Sequence, residues 1–374
     1  MRIITVTFHL ADNYGALLQA YALQKLLLSK KINTMILNYD NKNISGSYSL
    51  LKSDSKKPIK AIKNFLYNIL FLSVNIKKKN NFNKFRKNLQ LTELFSDKKK
   101  VENIYKENDV FIVGSDQVWN PNWTGGVDEI YTLCFGNKKI KRLSYAASSG
   151  NVINVEKNIN VFKERLNNFA FISVRENSLK EYLEKILNRP VEIALDPTML
   201  LEKKDWIKIA GNKRIEKEKY IFTYEAGNPN QQYYDAVNKL AYLTGLKIVY
   251  FGKHDLRGKY ECKKKSYYSA GPAEWLNLLF NAEYVVTTSF HGVALSSLLN
   301  KEMFVVLSTL PDRLTTLLNT LELNNRIIND KNKIDNLLNK KTEWDKVNKL
   351  IEQERKKSLN WLLNAIESDK NEQK

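Results

Sequence analysis

Short apolar runs recur along the chain, each closed by a polar or glycine-bearing turn and followed by a segment whose apolar residues return at helical spacing. Arg2 to Phe8 is the first run. The turn Asp12-Asn13-Tyr14-Gly15 follows, and then a helical pattern in which Leu17, Leu18, Tyr21, Ala22 and Leu26 share one face. Asn33 to Tyr39, Asp109 to Gly114, Arg142 to Ala147, Ala170 to Val174 and Val191 to Leu195 repeat the same grammar. Strands alternating with helices predict a parallel sheet covered on both faces.

A second series starts near Lys219. Tyr220 to Tyr224, Lys247 to Phe251, Glu283 to Thr288 and Met303 to Leu307 read as strands, and Gln231 to Leu243, Pro272 to Asn281, His291 to Leu299 and Arg313 to Leu321 as helices. The expectation is an α/β protein of two Rossmann-like lobes facing a central cleft: residues 1–200, then 215–330, with the Lys-rich stretch Leu201 to Lys219 as linker. A final helix at 340–368 would pack on one lobe or bridge both. Ligands bind such sheets beyond the carboxyl ends of the strands.

Residues 52–100 interrupt the first lobe with Lys56, Lys57, Lys60, Lys63, the apolar run Phe65 to Val74, and Lys77, Lys78, Lys79, Lys84, Arg86 and Lys87. A basic, apolar-cored helix pair suits either peripheral contact with an anionic membrane or packing on its own lobe. The chain has 374 residues, of which 43% are hydrophobic, enough to fill the cores of two domains. Its 60 Lys and Arg against 40 Asp and Glu give a net charge of +20, which raises nucleic acid, anionic membrane and phosphorylated substrates as partners. Nucleic acid is set aside because only eleven of the basic residues are Arg, and these are scattered. Cys134 and Cys262 stand far apart with no metal-binding spacing, the start of the chain reads as a strand rather than a signal peptide, and no run is long enough to span a bilayer. A cytoplasmic protein without a metal site is expected.

Three loops carry candidate chemistry. Asn13, Tyr14 and Gly15 open the first helix, where free N–H groups favour an anion, although a plain tight turn explains them equally. Ser115, Asp116, Gln117, Trp119 and Asn120 crowd after a strand and suit sugar or phosphate, the competing reading being a capped turn with Trp119 in the core. Ser289, His291 and Gly292 end a strand where a helix begins; His291 is placed for proton transfer near neutral pH, or is a capping or core residue. His9 and His254 read as ordinary core or surface residues. Arg175 also ends a strand, where its fork suits a carboxylate or phosphate, or simply a nearby Glu or Asp. Asp196-Pro197-Thr198 reads as a turn. Walker, GxGxxG, HExxH, DxD, GxSxG and EF-hand patterns are absent, which demotes nucleotide hydrolysis, hydride transfer, zinc proteolysis and serine-esterase chemistry.

Asn13 to Leu23, Gly114 to Pro121, Tyr145 to Ser148, Val174 to Glu176, Leu195 to Thr198 and Ser289 to Gly292, in this order, resemble the polysaccharide pyruvyl transferase family over about residues 3 to 325. The resemblance implies a fold similar to the GT-B glycosyltransferases and transfer of a pyruvyl group from phosphoenolpyruvate to a sugar as a cyclic ketal. It puts His291 on the family's acid/base histidine and Arg175 on an arginine that holds phosphoenolpyruvate, with Asn13, Tyr14, Gly15, Ser115, Asp116, Trp119, Asn120, Ser289, Gly292 and Arg313 as binding residues. Some members place a second arginine where this chain has Ser289, so that Arg313 or Lys253 would have to supply the charge, or the donor differs. The expected acceptor is a sugar or lipid-linked oligosaccharide for a capsule or exopolysaccharide, with phosphoenolpyruvate as donor substrate and no cofactor; whether a loosely bound magnesium accompanies the phosphate is left open. The rival reading is a GT-B glycosyltransferase using a nucleotide sugar.

Overall fold

The computed structural model describes residues 1–50, 69–96, 100–101, 104–106, 109–137, 139–227, 230–253, 258–307 and 312–368. The chain divides into an N-terminal unit, Met1–Leu200 with Lys356–Lys374, and a C-terminal unit, Leu201–Arg355.

The N-terminal unit is built on six strands: β1 (Ile3–Val6), β2 (Thr34–Ile36), β3 (Val110–Asp116), β4 (Lys141–Ala147), β5 (Phe171–Val174) and β6 (Glu192–Ile193). They lie in the order β2-β1-β3-β4-β5-β6, and all pair in parallel. β3 and β4 are buried along their full length, which explains why both read as continuous apolar runs. The predicted runs correspond to these six strands.

The C-terminal unit repeats the plan with β7 (Tyr220–Tyr224), β8 (Lys247–Tyr250), β9 (Lys264–Ser266), β10 (Tyr284–Thr287) and β11 (Met303–Val305), in the order β11-β10-β7-β8-β9, again parallel. The helices Gln231–Thr244, Pro272–Phe280, Phe290–Leu298 and Asp312–Thr320 match the predicted ones within a residue. β9 was not predicted. Lys264, Lys265 and Ser266 are all exposed on the sheet edge, where lysines discourage further strand pairing and carry no apolar signal.

One boundary needs correction. The stretch expected to be a linker contains the helix Lys203–Ala210, whose buried Trp206 anchors it in the C-terminal unit. Asn277 on Pro272–Phe280 donates to the carbonyls of Ala210, Gly211 and Lys213 and accepts from the amide of Ile215, fastening the segment that follows. The first unit ends at Leu200, and the second begins at Leu201 rather than near residue 215.

The last helix, Trp344–Glu367, passes from one unit to the other at Arg355. Within the C-terminal unit Trp344 Nε1 donates to Glu302 at 3.0 Å; within the N-terminal unit Ser358 Oγ accepts from the amide of Leu195 at 2.9 Å.

The first part of the expected insertion, residues 51–68, lies outside the described residues. The helix Leu72–Arg86 packs on its own unit through buried Phe82 and Phe85, which meet the rings of Tyr14 and Tyr21. No helix among the described residues is long and apolar enough to cross a membrane.

Candidate active site

The carboxyl ends of β1, β3, β4 and β5 gather polar side chains in the N-terminal unit. Asn13 caps the helix Tyr14–Ser29, its Oδ1 accepting from the amide of Ala16 at 3.1 Å. Arg86, at the end of the packed helix Leu72–Arg86, reaches back over the same loop. It donates to the carbonyls of His9, Leu10 and Ala11 at 2.9–3.0 Å and to Asp12 Oδ1 at 2.5 Å. One guanidinium thus fixes the backbone that presents Asn13, Tyr14 and Gly15. Nothing in the spacing of the sequence announced this, since Arg86 sits in a lysine-rich helix some seventy residues away. Tyr48 also belongs here: burial, then the charges of Asp116 and Asp12, push its phenol up to about 12, against the opposing hydrogen bond with Asn13.

Arg175 closes β5 and is 3% exposed. The expectation that its fork binds substrate meets a different geometry. Its Nη1 donates to Asp196 Oδ2 at 2.8 Å and its Nη2 to Asp116 Oδ1 at 3.3 Å. Burial lowers its pKa, but the charges of Asp196 and Asp116 outweigh burial and raise it. A buried guanidinium has to be neutralised, and here the chain supplies both carboxylates itself.

Asp196, read from sequence as a turn, is the centre of this network. Its Oδ2 also accepts from Ser115 Oγ at 2.9 Å, while its Oδ1 accepts from the amide and hydroxyl of Thr198 at 3.0 and 2.7 Å. Glu176 extends the network, accepting from Ser148 Oγ at 2.8 Å and the Ser149 amide at 3.1 Å. Ser115, Asp116 and Arg175 are therefore joined in one network, with Asp196 as the member that sequence spacing did not reveal.

Two other candidates leave the surface. Trp119 is 2% exposed, its indole N–H donating to the carbonyl of Tyr131 at 3.0 Å, so it is a core residue. Asn120 is buried and caps the short helix Pro121–Thr124. His9 is fully buried between Thr7 O and Asn38 Oδ1, and burial lowers its pKa. His254 lies outside the described residues.

In the C-terminal unit the end of β10 is tied down by hydroxyls. Thr287 Oγ1 donates to Tyr224 O at 2.6 Å and accepts from the Ser289 amide at 3.0 Å; Thr288 Oγ1 accepts from the Ala226 amide at 2.8 Å. Ser289 caps the helix Phe290–Leu298, accepting from the Gly292 amide at 3.4 Å.

Every residue of that helix is buried, and no acidic side chain lies in its first turn. Its positive dipole end is therefore not offset by a carboxylate of that turn. His291, 7% exposed, is in this turn with its ring edge-on to Phe290. A Cβ on Gly292 would collide with Thr287 Oγ1, so the glycine is demanded by the close approach of helix to strand.

Lys253 follows β8, and Arg313 stands in the first turn of Asp312–Thr320, which follows β11. Burial lowers the pKa of Lys253, whose ammonium lies 5.6 Å from the ring centre of Tyr268. Among the described residues no group of three or more His, Cys, Asp or Glu side chains is placed to hold a metal ion.

Two parallel sheets, each with its polar residues at the carboxyl ends of its strands, define a GT-B type of fold. The profile of the family Polysaccharide pyruvyl transferase matches residues 13–309, and the chain belongs to that family.

Comparison with curated proteins by sequence finds no match. Solved structures share the fold over nearly the whole chain. A Listeria monocytogenes protein assigned as a UDP-N-acetylglucosamine 2-epimerase is similar with a TM-score of 0.56 at 12% identity, covering 99% of this chain and 98% of its own. Methanocaldococcus jannaschii UDP-GlcNAc 2-epimerase, in complex with UDP-GlcNAc and UDP, gives 0.51 at 13% identity, covering 94% and 98%. UGT89C1 of Arabidopsis thaliana, complexed with UDP-L-rhamnose, gives 0.51 at 10% identity, covering 98% of each chain.

Proposed function

We propose that this enzyme transfers the pyruvyl group of phosphoenolpyruvate to two hydroxyls of one sugar in a surface-polysaccharide precursor, forming a cyclic ketal. Protonation of the enol methylene makes C2 an oxocarbenium-like electrophile. One sugar hydroxyl adds to C2 and gives up its proton, which replaces the one given to the methylene; the C2–O bond to phosphate breaks, and the second hydroxyl adds in its place, its proton leaving with the phosphate. The products are the ketal and inorganic phosphate.

His291 is the acid/base group of this reading, holding the proton for the methylene and receiving one from an attacking hydroxyl. The amide groups at the start of Phe290–Leu298, with Lys253 and Arg313, offset the charge of the donor's carboxylate and phosphate. Ser289 serves as a helix cap rather than a charge. Arg175 is a positioning residue: with Asp196 and Ser115 it fixes the ends of β3 and β5 and the orientation of Asp116. The observation that carries the reading is family membership over residues 13–309 joined to a histidine in the first turn of a buried helix.

A second reading, nucleotide-sugar transfer, is favoured by fold neighbours that hold UDP-GlcNAc or UDP-L-rhamnose. One titration separates the two. Thermal unfolding is followed with phosphoenolpyruvate and, separately, UDP-glucose, on the native chain and on His291→Ala. Phosphoenolpyruvate at 100 times Kd adds about 2.7 kcal/mol of stability, and UDP-glucose adds none. In a turnover assay His291→Ala loses roughly 10²–10⁴ in rate. Stabilisation by UDP-glucose alone transfers the assignment to the second reading, and full turnover by His291→Ala removes that residue from the mechanism.

A further inference from the structure

The loop after β3 holds two tryptophans four residues apart, and they have opposite fates. Trp119 is in the core, whereas Trp123, on the short helix Pro121–Thr124, is 52% exposed. An exposed indole is ordinarily free to turn. This one is pinned: its Nε1 donates to Gln117 Oε1 at 3.2 Å, and the same oxygen accepts from Asn120 Nδ2 at 2.8 Å.

Around it the amides interlock. Asn120 Oδ1 accepts from the Asn122 amide at 3.1 Å and from Asn154 Nδ2 at 3.2 Å. Asn122 Nδ2 donates to Asn154 Oδ1 at 3.2 Å, and Asn154 Nδ2 also donates to Ser149 O at 2.7 Å. The lattice joins the loops after β3 and β4, two adjacent central strands, at their carboxyl ends. Gly150, at φ +73°, lies so close under Gln117 and Asn120 that a side chain there would displace them.

We propose that Trp123 is the platform of a carbohydrate subsite, with Gln117, Asn122 and Asn154 as its rim. Three features point to a pyranose. A fixed aromatic face offers its negative quadrupole to the positively polarised C–H face of a sugar ring. The rim is made of uncharged amides, each bringing both donor and acceptor, which matches hydroxyls and acetamido groups rather than phosphate or carboxylate. The indole and amides are already immobilised by one another, so binding orders little that is not ordered beforehand.

Gln117 follows Asp116 directly, which places the subsite beside the N-terminal cluster. The inference deepens the proposed transferase reading by assigning a place for the acceptor's sugar, and it rests on that reading for the word acceptor alone.

The test uses the full chain, 15N-labelled, without phosphoenolpyruvate. The indole N–H resonance of Trp123 is the one missing from Trp123→Phe. Methyl β-D-galactopyranoside and N,N′-diacetylchitobiose are added up to about 100 mM, which fills a site of millimolar Kd; sorbitol and uridine are the comparison ligands. The expected result in the native chain is a saturable shift of this resonance and of the Gln117 and Asn122 amides with at least one ring sugar; in the variants, which have no indole at this position, the shift of the two amides is lost with Trp123→Ala and weakened with Trp123→Phe. Thermal unfolding of both variants stays near the native midpoint, because the ring is largely outside the core.

A resonance unmoved by either sugar, an equal response to sorbitol, or a response to uridine alone overturns the proposal. So does self-association in sedimentation that disappears with Trp123→Ala, which would make the ring a contact between copies of this chain. Because the phosphoenolpyruvate titration is separate, sugar binding without a response to that donor sinks the transferase reading and leaves the subsite standing, and the converse result does the reverse.

Discussion

The carboxyl ends of the two sheets handle charge in opposite ways. In the N-terminal unit Arg175, Asp196 and Asp116 form a buried ion network at the strand ends, with Glu176 bonded alongside. In the C-terminal unit the comparable buried network is at the amino end instead, where Lys247, the first residue of β8, meets Glu216 at 2.7 Å and Lys265 and Tyr267 complete the carboxylate's shell. Its carboxyl edge carries the hydroxyls of Thr287, Thr288 and Ser289 and the imidazole of His291, with Lys253 after β8 and Arg313 in the helix after β11. Charges spent on one another fix a scaffold; a helix start without a carboxylate in its first turn, with the imidazole of His291 beside it, leaves chemistry available.

Breaking the N-terminal network has the largest expected effect. Asp196→Ala removes from the buried Arg175 guanidinium the carboxylate that acts on it most strongly, leaving Asp116 and Glu176, and urea unfolding should show a loss of about 3–5 kcal/mol. Loss of less than about 1 kcal/mol would mean that the arginine is held mainly by Asp116, and that the network is not the scaffold described.

The C-terminal network is sharpened by acid. Burial opposes ionisation of Glu216, but hydrogen bonds from Lys247, Tyr267 and Lys265 outweigh it and lower the pKa from 4.5 to about 2. The folded state therefore binds this proton less readily than the unfolded chain. Its stabilisation is fully present above pH 4.5 and is lost as pH falls towards 2, a change on the order of 3 kcal/mol. Glu216→Gln removes that part of the slope, which denaturant unfolding at a series of pH values measures. An unchanged slope would assign the acid sensitivity to other carboxylates.

Gly292→Ala probes the other edge with the smallest effect. Thr287 is β-branched and its hydroxyl is bonded on both sides, so it has little room to yield to a new Cβ. A cost of about 1–3 kcal/mol in thermal unfolding is expected. If the helix Phe290–Leu298 tolerates the methyl without loss, the tight seat proposed for His291 does not exist.

The strands were legible because a parallel sheet buried on both faces turns each strand into an unbroken apolar run, as in Phe111-Ile112-Val113 and Val285-Val286. β9 was illegible for the converse reason: an exposed edge strand made of lysines obeys no burial pattern. At the site, strand ends identified Ser115, Asp116, Arg175 and His291 correctly as neighbours of the sheet edge, but not what each would hold. Arg175 could be assigned to substrate from sequence because its carboxylate partners, Asp116 and Asp196, are distant along the chain and close only across β3, β5 and the turn after β6. Trp119 and Trp123 are alike as letters; only the packing under Pro121–Thr124 decides which ring is core and which is platform.

The sequence by itself determined the α/β alternation, the strands of both sheets other than β9 and the loops that end them, because burial of a strand or of one helix face is written in local apolar spacing. The tertiary structure decided the partners: which carboxylates neutralise Arg175, that Arg86 fastens the Asn13 loop, and which tryptophan faces solvent. Those choices depend on side chains brought together by the order of strands in the sheet, and strand order is a property of the whole chain rather than of any stretch of it.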